Sequence, residues 1–363
     1  MTAVEDWAEV GARVREARLA VGWDQSQLAQ KLGIDRTSVV RIESGERRVS
    51  ALELYRLAEA LQVPLAHFVT RSPAAVVTRR APLTEDVDAA ARATYRLDAQ
   101  LEQHARDAAW LVSAGYLAPP PPFPTVHRVA SREEAAALAR RARRSIGQES
   151  GPLGPMADIA EQFGLYLAVI DADVEGASLW TDGYGVALLG GAAEPGRRRF
   201  TAAHELGHHL LQDAYHSDVG IAASRDEREG LIDAFASEFL LPSADLRSVI
   251  AAERTWDRAA LVQLSGEYRV SWSVALASAQ RAALITSDEL DRLRADQPLR
   301  GDFVRIVGRE PLPDLTPGTT GAAWKRAVLH AYEDGAITRE RAVELLRGAL
   351  SVQDLPSPDG RAW

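Results

Sequence analysis

The sequence of 363 residues contains no cysteine. This absence excludes disulfide bonds, thiolate nucleophiles and cysteine-based zinc sites, so that histidine and carboxylate side chains remain as metal ligands. The chain also lacks any run of eighteen apolar residues, and its first nine residues are acidic rather than basic and apolar. We therefore expect a cytoplasmic protein with neither a membrane span nor a secretory signal.

Lysine is scarce, at positions 31 and 325 only, and the formal net charge is −9. The charge is unevenly distributed, because residues 1–72 contain ten Arg and Lys and ten Asp and Glu, which leaves the whole negative excess downstream. An acidic surface repels nucleic acid. Contact with DNA would therefore have to come from a local patch on the neutral first segment.

Length and a hydrophobic content of 46% predict two or three domains. The spacing of the apolar residues predicts a mainly α fold with a small β-sheet (α+β). Between Trp7 and Phe68, apolar residues recur at helical spacing in short segments separated by glycines, which predicts four or five short helices. Further helices are predicted at about 85–113 with Thr84 as N-cap, 132–146, 157–163, 200–211, 225–241, 322–333 and 338–346, and strands at 165–171 and 183–189. The predicted divisions are a first domain over 1–72, a helical connector over 73–118, a proline-rich linker over 119–128, a domain over 129–290 and a helical C-terminal region over 291–363.

The most specific chemical pattern is His204-Glu205-Leu206-Gly207-His208, inside a predicted helix. Positions i and i+4 lie on the same face of a helix, so His204 and His208 can bind one metal ion while Glu205 lies beside it. This spacing is typical of metallopeptidases.

Two histidines leave the metal needing a third protein ligand. The acidic candidates downstream are Asp226, Glu227, Glu229, Asp233 and Glu238. If 226–241 is one helix, Glu227 and Glu238 fall on its solvated side, whereas Glu229 and Asp233 lie at the edge of the apolar arc, where an unpaired carboxylate is costly to bury. Two arrangements satisfy that pair. Either Glu229 binds the metal and Asp233 accepts the free N–H of a ligating histidine, or both carboxylates pair with Arg225 or another arginine.

The stretch Arg199-Phe200-Thr201-Ala202-Ala203-His204-Glu205-Leu206-Gly207-His208, then Glu229 and Phe235-Ala236-Ser237-Glu238-Phe239-Leu240-Leu241-Pro242, resembles the ImmA/IrrE family of zinc metallopeptidases. The resemblance covers about residues 132–285 and includes Gly176-Ala177-Ser178. It implies a zincin-like domain with Zn²⁺ bound by His204, His208 and Glu229, and with Glu205 as the catalytic carboxylate. Asp233 repeats the spacing of the supporting carboxylate in thermolysin-like enzymes. Histidine and carboxylate ligands also accept Mn²⁺.

Such a site predicts peptide hydrolysis. The zinc ion acidifies water and polarises the scissile carbonyl, while Glu205 takes the proton of the water and delivers it to the departing amine. The strand at 183–189 is predicted to be an edge strand that binds substrate as an added strand. A hydrogen-bond donor is also needed to stabilise the oxyanion that forms when water attacks the carbonyl. Tyr184, His209, Tyr215 and His216 are candidates, and none is assigned.

The first segment reads as a helix, a glycine turn and a second helix, over 25–34 and 35–45. It resembles the XRE, or lambda-repressor-like, family of helix-turn-helix DNA-binding domains over about residues 8–69. In that family the second helix enters the major groove. Arg36, Thr37 and Arg41 match the positions that read bases in this family. Gln25 and Arg47 match positions that usually contact phosphate. Arg18 and Glu43 are predicted to form a structural ion pair, and a helical bundle that binds protein is the alternative for the whole segment.

The two parts together predict a transcriptional regulator that binds double-stranded DNA and is also a zinc-dependent endopeptidase. The resemblance implies a specific regulatory protein as substrate, such as a repressor or antitoxin, in a stress or mobile-element switch. A homodimer on two half-sites is compatible with this docking mode. Two alternatives stay open: a repressor or antitoxin whose metallopeptidase-like domain is non-catalytic and serves sensing or partner binding, and a peptidase whose first segment recruits a similarly folded protein without DNA.

Overall fold

The computed structural model describes residues 4, 6–70, 88–124, 129–181, 183–211, 222–253 and 257–357. Predictions that involve Thr84, Tyr215, His216, residues 125–128 and 358–363, and the side chains of Arg225 and Asp226, lie outside the described residues. The predicted α+β architecture is confirmed, since among the described residues helices surround one three-stranded sheet. The described residues up to Trp110 form one compact unit and those from Leu111 onward form another. Within the described ranges, no helix has the length and apolarity needed to cross a bilayer.

The first unit is built from short helices and most of one long helix. These are α1 (Trp7–Ala20), α2 (Gln25–Leu32), α3 (Arg36–Glu43), α4 (Ala51–Leu61), α5 (Ala66–Val69) and α6 (Ala89–Ser113). The helix starts have the side-chain caps that the sequence provides: Asp24, Asp35 and Ser50 each accept backbone N–H groups of the following first turn. Gly45 follows the end of α3 at φ 77°, and an added Cβ would lie 2.6 Å from the Cα of Ala8. That position therefore requires glycine.

Helix α6 belongs to the first unit for most of its length. Its Tyr95 and Ala99 join the same buried core as Val14, Leu28 and Leu57 of the short helices. The imidazole of His67, at the end of that core, hydrogen-bonds to the Tyr95 hydroxyl at 2.7 Å. The segment predicted as a helical connector thus contributes to the core of the first unit.

The second unit holds the sheet and the remaining helices. They are α7 (Arg132–Ser145), α8 (Met156–Gln162), β1 (Leu165–Ile170), β2 (Gly176–Thr181), β3 (Tyr184–Gly190), α9 (Pro195–Leu210), α10 (Ala222–Leu240), α11 (Ser243–Glu253), α12 (Arg258–Tyr268), α13 (Trp272–Arg281), α14 (Ser287–Ala295), α15 (Arg300–Val307), α16 (Ala322–Glu333), α17 (Arg339–Leu345) and the 3₁₀ turn Val352–Asp354. One continuous core joins the sheet to α7, α8, α9 and α10.

The strand order is β1-β3-β2, with β3 parallel to β1 and antiparallel to β2. The prediction that residues 183–189 form an edge strand was wrong, because β3 lies in the middle of the sheet. The unpredicted strand β2 is the edge strand of this sheet; it begins with glycine and alanine, which are depleted in strands, so its β signal was weak. The outer edge of β1 is covered, since Val169 exchanges backbone hydrogen bonds of 2.9 Å with Gly318 and Thr319.

The C-terminal region is attached to this sheet. On the face of the sheet turned away from the main core, the Tyr166 ring contacts Tyr184 and the buried Trp324 of α16. The Glu161 carboxylate accepts the N–H groups of Ala323 and Trp324 at 2.7 and 2.8 Å, which caps α16. Burial raises the pKa of Glu161 despite these bonds. Helix α16 is therefore fixed to α8 and covers the outer face of the sheet.

Glu238 was predicted to lie on the solvated side of its helix, and this prediction was wrong. The residue is buried, its carboxylate pairs with Arg140 at 3.2 Å, and it accepts a hydrogen bond from the Ser243 hydroxyl. The reason is that α10 packs along α7 as well as against α9, so that it is buried on more than one side. Glu227, on the same predicted side, is exposed.

Candidate metal centre and DNA-reading helix

Helices α9 and α10 bring the motif histidines and the distant carboxylates together. Pro195 begins α9, where its missing N–H costs no hydrogen bond. The two helices approach closely at Gly207, where an added Cβ would lie 3.0 Å from the Phe235 ring and 3.1 Å from the Ile232 side chain. A larger residue at 207 would push the histidine-bearing turn away from α10.

His204, His208 and Glu229 form a cluster whose ligand atoms all lie within 4.8 Å of one another. The Nε2 atom of His204 lies 3.1 Å from Nε2 of His208 and 3.2 Å from Oε2 of Glu229, and the third distance, from His208 Nε2 to Glu229 Oε2, is 3.9 Å. Ligands 2.0–2.1 Å from a tetrahedral ion are about 3.3 Å apart. The spacing of these three atoms therefore fits one small divalent cation.

Asp233 orients His204. Its Oδ1 lies 3.0 Å from His204 Nδ1, so that this ring nitrogen donates to Asp233 and Nε2 faces the cluster. Burial alone would lower the pKa of His204, but the carboxylates of Asp233 and Glu229 outweigh it and raise the pKa to about 10. A cation of some kind is favoured at this position, be it a proton or a metal ion.

Glu205 lies beside the cluster and has a partner that the sequence did not reveal. The residue is 4% exposed, and its carboxylate accepts a hydrogen bond of 2.5 Å from the hydroxyl of Ser178, on strand β2. An added Cβ at Gly176 would lie 2.7 Å from the Thr201 side chain and 3.2 Å from the Glu205 carboxylate. The Gly176-Ala177-Ser178 stretch therefore lets β2 approach α9 and supplies a donor to Glu205.

Two candidates for an oxyanion donor have other partners. His209 is largely buried, its Nε2 donates to the Phe163 carbonyl at 2.8 Å, and burial lowers its pKa. Tyr184 is buried against Tyr166 on the face of the sheet turned away from α9. Both side chains therefore pack within the fold, and the oxyanion donor stays unassigned.

The residues of α3 predicted to read bases share one surface. Arg36, Thr37 and Arg41 are all exposed, and the 38% exposed Val40 lies among them. Val40 was not among the predicted contact residues, since no feature of the sequence separates it from a core valine. Here the core is made by Val39 and Ile42 instead.

A hydrogen-bonded chain fixes this surface to the core. The predicted ion pair exists: Arg18 Nε lies 2.6 Å from Glu43 Oε1, with both side chains buried. The Gln25 amide donates to the other Glu43 oxygen at 2.9 Å and accepts from Arg36 at 3.1 Å. Gln25 thus lies between Glu43 and Arg36.

Arg47 lies just after the turn and is partly exposed. It forms an ion pair of 2.6 Å with Glu53, which also caps α4. Its guanidinium is thereby held beside the start of α4.

Comparisons with known proteins divide the chain in the same way. The helix-turn-helix family model matches residues 14–68, and the model described as IrrE N-terminal-like domain matches residues 160–279. An uncharacterized transcriptional regulator in the ATPase CF(0) region of Rhodospirillum rubrum is 43% identical over 61 residues, which are 17% of this chain and 56% of that protein. The chain thus spans little more than half the length of this curated relative.

The cluster of His204, His208 and Glu229 lies within the second matched region, and the exposed face of α3 lies within the first. Both matches agree with the motifs and with the two compact units. The chain therefore joins an XRE-like helix-turn-helix domain to a metallopeptidase-like domain of the ImmA/IrrE family.

Proposed function

We propose that this protein is a DNA-binding transcriptional regulator whose second unit is a zinc-dependent endopeptidase that cleaves a specific regulatory protein, such as a repressor or antitoxin. The observation that carries the peptidase part is the convergence of His204, His208 and Glu229 beside the buried Glu205. Zn²⁺ is the preferred ion for two imidazoles and one carboxylate, and the same set accepts Mn²⁺.

In the proposed reaction, His204, His208 and Glu229 hold the ion and Asp233 fixes the ring of His204. When bound, the ion makes water more acidic and polarises the scissile carbonyl. Glu205 accepts a proton from the attacking water as the C–O bond forms, and delivers it to the nitrogen as the C–N bond breaks. The hydrogen bond from Ser178 holds the Glu205 carboxylate in place without taking part in the proton transfer.

The substrate binds, on this account, as an extended strand along β2. The outer edge of β1 is paired with residues 318–320, whereas β2 forms the other edge and carries Ser178 beside Glu205. An added strand along β2 therefore brings its backbone close to the carboxylate that handles the proton.

The DNA-binding part uses the exposed face of α3. Arg36, Thr37 and Arg41 contact base edges in the major groove, and Val40 packs against thymine methyl groups. Gln25 and Arg47 contact phosphates, and the first of these also steadies Arg36. Regulation from two half-sites would require a homodimer.

The test compares zinc-loaded full-length wild type with Glu205→Gln against candidate regulators encoded near its gene. The wild type should cleave one of them at a single site, while Glu205→Gln should keep its zinc and DNA binding but lose at least 10²-fold in cleavage rate. Glu227→Gln, an exposed carboxylate on α10, is the matched control and should cleave normally.

Three outcomes separate the hypotheses. If Glu205→Gln regulates transcription as the wild type does and no regulator is cleaved, the metallopeptidase-like domain is non-catalytic. If Arg36→Ala with Arg41→Ala abolishes operator binding but leaves cleavage intact, the proposal stands. If the same double variant stops cleavage in an assay without DNA, the first unit recruits the protein substrate instead.

A further inference from the structure

Trp180 is an exposed aromatic residue beside the candidate metal centre. Its side chain is 45% exposed, and it lies on β2 two residues after Ser178. Residues two apart on a strand point to the same face of the sheet and are about 6.8 Å apart. Because Ser178 donates to Glu205, Trp180 faces the α9 side of the sheet, one step further along the edge strand.

The sheet itself leaves the indole uncovered. The residue opposite Trp180 on β3 is Gly185, and an added Cβ there would lie 2.6 Å from a ring nitrogen of His209. Position 185 therefore cannot accept a larger side chain without displacing His209. In the part of the chain that the structure describes, the indole has no aromatic neighbour and its N–H has no hydrogen-bond acceptor.

The pattern of hydrogen bonds between β2 and β3 shows which backbone groups of β2 point away from β3, toward the outer edge of the sheet. The N–H of Gly190 donates to the carbonyl of Glu175, so the pair 175–190 is hydrogen-bonded, and the odd-numbered residues of β2 continue this ladder toward β3. The backbone groups of Gly176 and Trp180 are therefore directed to the outer edge, where an added strand would pair.

We propose that Trp180 is a specificity-determining residue that selects an aromatic or large aliphatic side chain of the substrate. The inference rests on the proposed peptidase function. Antiparallel pairing is the commoner arrangement for an added strand. In that arrangement, the substrate residue opposite Trp180 comes two positions before the substrate residue opposite Ser178. The selected side chain thus lies on the N-terminal side of the scissile bond, directly across the strand from the indole, where aromatic and aliphatic pairs are favoured.

A purely structural role for Trp180 makes a different prediction. An aromatic side chain across from a glycine can protect that glycine within the sheet. Loss of the indole would then lower thermal stability and slow the cleavage of all peptides alike. A specificity role instead changes the preference at one substrate position and leaves other positions as they were.

The experiment is a cleavage screen of a randomised peptide library with zinc-loaded full-length protein, read by sequencing the products. Wild type should prefer Phe, Trp, Leu or Met at one position N-terminal to the cleaved bond by about tenfold in kcat/KM over Ser. Trp180→Ala should lose this preference, mainly through KM, and Trp180→Phe should retain most of it. Leu312→Ala, which removes another exposed apolar side chain of the same unit, is the control and should keep the wild-type profile.

The inference is overturned if Trp180→Ala cleaves with the wild-type positional profile, or if its rates fall equally for every peptide. A second assay measures peptide binding and therefore does not depend on cleavage. Peptides retained by zinc-loaded Glu205→Gln should be enriched in the same side chains. Peptides retained by the double variant Glu205→Gln with Trp180→Ala should not. If wild type cleaves nothing and Glu205→Gln retains no peptide, the proposed function has failed together with the subsite. That result differs clearly from cleavage with an unchanged profile.

Discussion

At the scale of single residues, the imidazole of His204 shows how the candidate centre is organised. One ring nitrogen donates to Asp233 at 3.0 Å, and the other faces His208 and Glu229. The Asp233 carboxylate thereby selects the tautomer that leaves a lone pair for a cation. Glu205 has an equivalent supporting residue in Ser178, on a different structural element.

Asp233→Asn should weaken binding of Zn²⁺ by roughly 10–100-fold, because the neutral amide holds the His204 ring less firmly and stabilises its N–H less well. Competition with a chromophoric chelator measures the affinity. Glu227→Gln on the same helix serves as the control and should bind zinc as the wild type does. Equal affinity of Asp233→Asn and wild type would contradict the role given to Asp233.

Ser178→Ala should lower kcat by roughly tenfold to a hundredfold while zinc affinity stays unchanged, because a hydrogen bond to a carboxylate contributes about 1.5–3 kcal/mol. Steady-state cleavage and a metal titration on the same preparation separate these two effects. Thr181→Ala, on the same strand, should change neither. A parallel loss of zinc from Ser178→Ala would show that the serine supports the fold rather than Glu205.

At the scale of secondary-structure elements, helix phase predicted more of the site than strand pattern did. The 3.6-residue period favoured Glu229 and Asp233, and in the structure both carboxylates lie beside the ring of His204, at 3.2 and 3.0 Å from its two nitrogens. Their roles as ligand and supporting carboxylate stay predictions. Helix phase gave the wrong environment for Glu238, since a helix packed on both α7 and α9 has no single solvated side. Strand β2 was missed because it begins with Gly176-Ala177-Ser178, three small residues that give little β signal, and the edge of the sheet was consequently assigned to β3.

The buried ion pair between α1 and α3 should be essential to the first unit. Arg18→Ala removes one partner and leaves the Glu43 carboxylate buried, which should cost about 3–5 kcal/mol in the free energy of unfolding. Urea denaturation followed by circular dichroism measures the loss, with the exposed Arg15→Ala on the same helix as control. Replacing both partners, as in Arg18→Met with Glu43→Leu, should cost less than the single change. A loss no greater than that of the control would show that the pair is dispensable.

The start of α4 should become less stable in acid. The hydrogen bond from the Ser50 N–H, and then the guanidinium of Arg47, hold the pKa of Glu53 below its ordinary value of 4.5. A carboxylate with a lowered pKa in the folded state contributes stability above its unfolded pKa, and this contribution disappears as the pH falls through the folded pKa. The difference in Tm between wild type and Glu53→Gln should therefore be constant near neutral pH and shrink below about pH 4.5.

Arg56→Gln is the control for this titration, because arginine keeps its charge throughout that range. The difference in Tm between Arg56→Gln and wild type should not shrink below about pH 4.5 in the way expected for Glu53→Gln. A Glu53→Gln difference that grows in acid would contradict the sign of the shift.

At the scale of the whole molecule, the two functional parts were predictable because each carries its own dense local pattern. The helix-turn-helix spacing and the His-Glu-x-x-His pattern depend on neighbours along one or two helices, and they lie within the regions that the two family models match, 14–68 and 160–279. Contacts between distant segments were not predictable in this way. Residues 318–320 cover β1 and Glu161 caps α16, so the C-terminal region completes the second unit instead of following it as an appendage.

The domain boundaries remain predictions, and two observed contacts involve segments that were predicted to be connector and linker. Helix α6, assigned to a connector, shares the core of the first unit through Tyr95 and Ala99. Phe123, in the proline-rich stretch, packs against Phe163 in the second unit. Limited proteolysis of the full chain would locate the segments that open first.

The central claim is that His204, His208 and Glu229 hold one divalent cation beside Glu205. Isothermal titration of metal-stripped full-length protein with Zn²⁺ tests it most directly, with Glu229→Ala as the diagnostic variant and Glu227→Ala as its exposed control. We expect one ion per chain for wild type and for the control, and an affinity at least tenfold lower for Glu229→Ala. Absence of stoichiometric binding in the wild type, or equal binding in all three proteins, would contradict it.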